Sequence, residues 1–315
     1  MEKTRETNLP PASAGREIRR VCSREGWGAF LLMALTQVGA AVLAAALSAL
    51  APAALENPWM GSWGLTYLPL YLVAFPVMWL VVRRLPVRDF PMERRPLSPA
   101  ALAQLWVFGM GVTYFLNYLS TLAAWLVSLL RGSAVMNPLE STMGHLPSAL
   151  FFGVLVAPVM EEVIFRRILL RRLLPLGQGM AVYGSAFIFS LFHANLFQIP
   201  YAFVLGVMLA VLALSTGGIR ASILLHVALN ATGLVVMPLL ATLGTPGAWA
   251  TTILVVAFLG AALGMAIRRQ VRVPTLPSSP LGLTPAQERR AFLGSPGMIA
   301  YSLLILALVA LTLAL

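Results

Sequence analysis

The sequence predicts an all-α polytopic membrane protein, and two observations carry that prediction. The chain is 59% hydrophobic and only 10% charged, with a mean hydropathy of +0.85, whereas a soluble domain carries about a quarter charged residues. Its apolar runs are continuous over about 20 residues, the length an α-helix needs to cross about 30 Å of hydrocarbon.

Residues 1–27 hold Lys3, Arg5, Arg16, Arg19, Arg20 and Arg24 among prolines and small polar residues. They read as a flexible basic tail on the cytoplasmic side. The apolar run at 28–55 is too long for the core of a signal peptide, about 7–15 residues, and is expected to be an uncleaved first span. Further spans are expected at 62–82, 99–130, 147–174, 179–195, 196–216, 222–243, 248–267 and 297–315. With the first, these make nine spans, with a count of eight or ten allowed because the runs on either side of Asn195 are hard to separate. The chain therefore divides into the tail 1–27, N-terminal helices 28–130, a core 147–244 and C-terminal helices 248–315. A cytoplasmic linker at 268–295 interrupts the last part, with Thr284 and Pro285 placed to start a short helix. The last span has no interior charge and is expected to be peripheral. Gly260 and Gly264 hint at close helix packing.

The net charge of +11 does not point to nucleic acid, because the basic residues fall in short connections between apolar runs. With the N-terminus inside, 21 of the 22 basic residues lie on the cytoplasmic side and only Arg131 lies outside, an asymmetry that sets orientation. An odd number of spans follows. The protein is expected to be integral to a membrane, the plasma membrane if bacterial. The single Cys22 carries no disulfide or metal signal.

Glu161 and Glu162 stand side by side within an apolar run, where a charge costs at least a few kcal/mol and an ionisable residue signals function. Arg166 lies four residues after Glu162, on the same helical face and able to pair with it. Glu161 is turned about 100° away and is left available as a general base. His193 and His226 lie in later apolar runs, and Asn230 shares a face with His226. Counted from the nearest helix ends, Glu161 and His193 fall at similar depth on antiparallel neighbours. Phe189 reads as packing, Arg167, Arg171 and Arg172 as a snorkelling helix end, and His145 as a solvated loop residue. Glu161, His193 and His226 are also residue types that ligate Zn²⁺. The chain lacks the His-Glu-x-x-His spacing of zincins, which favours a metal-independent glutamate mechanism while leaving zinc open.

Taken in order, Glu161-Glu162-x-x-x-Arg166, Phe189-x-x-x-His193 and His226-x-x-x-Asn230 resemble the three motifs of the CAAX protease and bacteriocin-processing (CPBP, or Abi) family of intramembrane proteases. The resemblance covers about residues 147–244. It implies an all-helical membrane endopeptidase with its cavity reached from the cytoplasmic side. By the same likeness, Glu161 and His193 activate water, and His226 with Asn230 stabilises the oxyanion. Glu162 and Arg166 hold the motif helix. Family members are described both as metalloproteases and as glutamate-dependent proteases. The implied partners are membrane lipid and a membrane-associated or lipidated protein or peptide substrate. Two other readings compete. One is a proton-coupled transporter using the same groups as a relay; the other is a non-catalytic immunity or scaffold protein.

Overall fold

The computed structural model describes residues 11–90, 97–137, 145–272, 274–277 and 280–314, and among these there is no strand. Ten helices carry the architecture. In chain order they are α1 (Pro11–Leu50), α2 (Trp59–Val82), α3 (Pro99–Arg131), α4 (Leu146–Leu176) and α5 (Gln178–Phe192). They continue with α6 (Ile199–Thr216), α7 (Arg220–Ala241), α8 (Gly244–Ile267), α9 (Pro285–Leu293) and α10 (Pro296–Ala314). All but α5 and α9 are long and apolar enough to cross a membrane.

Contacts between helix ends show how the helices alternate. Arg131 at the end of α3 donates to the Ala314 carbonyl at 2.9 Å, and Trp59 and His145, beginning α2 and α4, pack edge to face. Leu50, Trp59, Arg131, Leu146, Ala241, Gly244 and Ala314 therefore mark one face. On the other face, Arg172 near the end of α4 donates to the Val82 carbonyl ending α2 at 2.9 Å. Arg88 N–H donates to the Arg171 carbonyl there at 3.0 Å. This second face gathers the arginine-rich connections and is called the basic face below.

Several expectations are corrected. The tail is helical from Pro11, and Ile18, Val21, Cys22 and Glu25 are buried; its first ten residues lie outside the described residues. Glycines make this possible: Gly26 meets the backbone of Gly297 so closely that a Cβ would sit 2.3 Å from it. Consequently α10 is not peripheral. Met298, Tyr301 and Ile305 are buried, and the Tyr301 hydroxyl donates to the Ile188 carbonyl of α5 at 3.0 Å. Gly260 and Gly264 meet nothing within 4 Å, and the close α3–α8 approach falls instead at Gly111 against Phe258 and Ala262. His145 is the N-cap of α4, its Nδ1 accepting from the Ser148 N–H. Arg172 does not snorkel; it is buried, bonded to two carbonyls and laid over Trp79. The expected start of α9 forms as read, with Thr284 and Gln287 closing a reciprocal capping box.

The spans expected at 179–195 and 196–216 differ in the way that matters most. With 15 residues, α5 is only about 22 Å long, too short to cross. It stops at Phe192, Ala194 takes a left-handed backbone at φ 47°, and α6 returns toward the basic face. The turn is fixed by Asn195, whose Oδ1 accepts from the Phe197 N–H at 2.9 Å. Irregular backbone at membrane depth is stable only where protein covers it or it lines a cavity. This turn does the latter.

Candidate active site

The α4 helix supplies the two glutamates. It is wound α-helically over Ala157–Glu161 between wider π-type turns at Ala149–Val156 and Glu162–Leu170. Turns of this type often sit at functional sites because they redirect side chains and free carbonyls. Glu162 and Arg166 are completely buried, with Nη1 3.4 Å from Oε1, so the expected pair exists. Arg166 also donates from Nη2 to the Gly206 carbonyl of α6 at 3.2 Å. Its guanidinium carbon lies 4.3 Å from the centroid of the Phe189 ring, a cation–π contact.

Phe189 is therefore more than filler. Besides Arg166 it meets the rings of Phe165, His193 and His226 edge to face, at centroid distances of 5.1, 5.0 and 5.9 Å. One ring touches two histidines and carries the guanidinium over its face. Gly206 lets this ring approach α6, since a Cβ there would be 3.1 Å from Phe189 Cδ1.

His226, on α7, joins the two glutamates that the sequence assigned to separate roles. Its Nδ1 lies 3.1 Å from Glu162 Oε1, and its Nε2 lies 3.6 Å from Glu161 Oε2. Glu161 thus does not stand alone; it faces a histidine held from behind by Glu162. His193 follows the last residue of α5, and its Nδ1 is 3.0 Å from the Phe189 carbonyl. A carbonyl only accepts, so Nδ1 carries the hydrogen. In the neutral ring, Nε2 is then the acceptor. Asn230 donates from Nδ2 to the Gly153 carbonyl at 2.9 Å, leaving its second amide hydrogen and its oxygen uncommitted by that bond.

Glu161, His193, His226 and Asn230 line a single cavity of about 530 Å³. Its other walls come from outside the motif helices: Thr36 and Gln37 of α1, Trp63 and Tyr67 of α2, Thr113 and Asn117 of α3. Trp63, Tyr67 and Phe152 stack nearly parallel, with ring centroids 5.4 to 6.1 Å apart. The sequence carried one unread signal for this wall, the four-residue spacing of Trp63, Tyr67 and Tyr71 along one helical face. Among the described residues, no three His, Cys, Asp or Glu side chains are disposed to hold a metal ion. His226 Nδ1 and Glu162 Oε1 are already engaged with each other.

Carboxylate, imidazole and amide groups thus meet on one cavity of about 530 Å³ inside a bundle of membrane-length helices, the groups that amide hydrolysis requires. Residues 143–232 match the family described as Rce1-like, type II CAAX prenyl endopeptidase, a peptide-hydrolase family, and this part of the chain is similar to the CPBP-type intramembrane endopeptidases. The matched segment contains all seven motif residues. No curated protein and no solved structure matches the chain.

Proposed function

We propose that Glu161 and His193 activate the water that hydrolyses a peptide bond of a membrane-associated or lipidated protein or peptide, without a metal. The observation that carries this reading is the meeting of Glu161, His193, His226 and Asn230 on one cavity. Water adds to the carbonyl carbon while Glu161 takes its proton. The tetrahedral oxyanion is held by hydrogens of His226 Nε2 and Asn230 Nδ2. The C–N bond then breaks, the proton passes to the leaving amine, and a carboxylate and an amine result. For His226 to donate from Nε2 while Nδ1 is engaged with Glu162, both ring nitrogens carry hydrogens. Glu161 and Glu162 face that charge from either side. His193, acceptor at Nε2, orients the water. Glu162, Arg166 and Phe189 are positioning residues behind this set.

The cavity lining contains Thr, Asn and Gln side chains but, among the described residues, no lysine or arginine. Neutral, largely apolar peptide around the scissile bond suits such a lining. Membrane lipid surrounds the bundle, nucleic acid is not a partner, and the N-terminus is cytoplasmic.

The test compares the detergent-purified protein with its Glu161→Gln variant on a library of membrane-anchored and lipidated peptides, read by mass spectrometry. Cleavage by the wild type alone, undiminished by a chelator, is the expected result. Loss of a general base typically costs on the order of 10²–10⁴ in rate. Turnover retained by the variant would remove Glu161 from the base role, and chelator sensitivity would restore the zinc reading.

A further inference from the structure

The position of the cavity along each helix gives its direction. On α5 it is lined by Phe189 and Phe192, at the end remote from the basic face, and on α6 by Tyr201, Ala202 and Leu205, again at the remote end. On α4 the lining runs from Gly153 to Glu161, in the half that begins at the opposite face. On α7 it starts at His226 and continues through Gly233 and Leu234 to Pro238, close to the helix end on the opposite face. Asn137, in the connection between α3 and α4 on that same face, also lines it. None of the lining comes from the basic-face ends of these helices.

Toward the basic face the catalytic cavity does not continue: the recess of about 510 Å³ there, between α2 and α4 at Phe75, Trp79, Val163 and Arg171, shares no lining residue with it. Ile164, Phe165, Leu169 and Leu173 of α4 pack there with Ile18 and Cys22 of α1, Val82 of α2, Val182 of α5 and Tyr301 of α10 in the main hydrophobic core. A polar route from the catalytic cavity through that layer would have to part these buried apolar side chains. The charge distribution then fixes which side each face meets. By sequence, Arg131 is the only basic residue placed at the opposite face, and such asymmetry marks the basic face as cytoplasmic.

We infer that the catalytic cavity opens on the extracytoplasmic face, so that the enzyme acts on uncharged, apolar polypeptide segments presented from that side. This reverses the cytoplasmic access implied by the family resemblance, and it rests on the protease reading only for the word "acts". The substrate class is a polypeptide already carried across the membrane, or anchored in its outer leaflet, with its cleavage segment reaching about half the bilayer depth.

Sidedness is testable without activity. The single, buried Cys22 is replaced by serine, or by alanine if the serine variant folds poorly. One cysteine is then introduced at Asn117 or Pro238 in the cavity, or at Arg272 on the basic face. A membrane-impermeant maleimide is applied to right-side-out and inverted vesicles from expressing bacteria. Asn117→Cys and Pro238→Cys are expected to label only in right-side-out vesicles, and Arg272→Cys only in inverted ones. Labelling of a cavity cysteine from the same side as Arg272→Cys would overturn the inference. So would protection of both cavity cysteines from either side, when both label after denaturation. Peptide cleavage by oriented proteoliposomes is scored separately. Correct labelling with no cleavage from either side would sink the protease assignment and leave the direction of the cavity standing.

Discussion

At the level of single residues, Phe189 decides the geometry of the site although it carries no chemistry. Its ring faces Arg166 and is edged by His193 and His226, so a smaller side chain frees a guanidinium and two imidazoles together. Phe189→Leu keeps apolar volume but removes the ring face, and a cation–π contact of this desolvated kind is worth about 2 kcal/mol. The expected result is a lower thermal midpoint in detergent and a larger fall in kcat than in KM; unchanged kinetics would make the ring packing only. Arg166 is a harsher case. Arg166→Ala leaves Glu162 buried with only His226 and the Ser222 hydroxyl beside it, and breaking a buried pair costs about 3–5 kcal/mol. A collapse of folded yield is expected, with partial recovery in the Arg166→Ala, Glu162→Gln double variant. No recovery would show that Arg166 matters through Gly206 and Phe189 rather than through the charge. This pair was legible in the sequence because a four-residue helical spacing suffices to predict it. The bridging of both glutamates by His226 was not, because it depends on how α7 packs against α4, which no local spacing encodes.

Elements tell a similar story about close approaches. The small-residue pair Gly260 and Gly264 suggested where α8 packs, yet both glycines meet open space, while Gly111 on α3 sits against the Phe258 backbone and the Ala262 side chain. Spacing identifies a helix that can be approached closely; it does not say by which face. Gly111→Val is therefore expected to lower the thermal midpoint and loosen α3 from α8, since a Cβ there would lie 2.4 Å from Phe258 O and overpacking costs about 1–3 kcal/mol. Gly260→Ala should be neutral or slightly stabilising, because alanine is favoured over glycine in a helix. Equal midpoints for the two variants would refute the assignment of the contact. The α5–α6 hairpin has the same origin. Both apolar runs were visible, but the position of the break between them was hidden. Only the fold shows that α5 ends before crossing, which places His193 at a helix end on the cavity instead of inside a span.

The whole molecule is divided across its depth, with the main hydrophobic core toward the basic face and the cavity of Glu161, His193, His226 and Asn230 in the opposite half. Three regions outside the matched segment help build that core: the first turns of α1, the end of α2 and the start of α10. Read from sequence, the N-terminal stretch is a tail and the last span an appendage. Charge density and the lack of polar residues were the only signals available, and neither reports contact. In the structure, Gly26 and Gly297 bring α1 and α10 together, and Tyr301 reaches across to the backbone of α5, the helix that ends at His193. The core of the protease is thus held in place by segments distant in sequence. Truncation after Arg272, removing α9 and α10, exposes α1 and α5 together and is expected to abolish the monodisperse peak on size-exclusion chromatography. Tyr301→Phe removes only the hydroxyl, a hydrogen bond worth about 0.5–1.5 kcal/mol. Its midpoint should fall slightly while cleavage per folded molecule is kept. If the truncated chain stays folded and active, α10 does not support the site, and positioning of His193 must come wholly from α4 and α6.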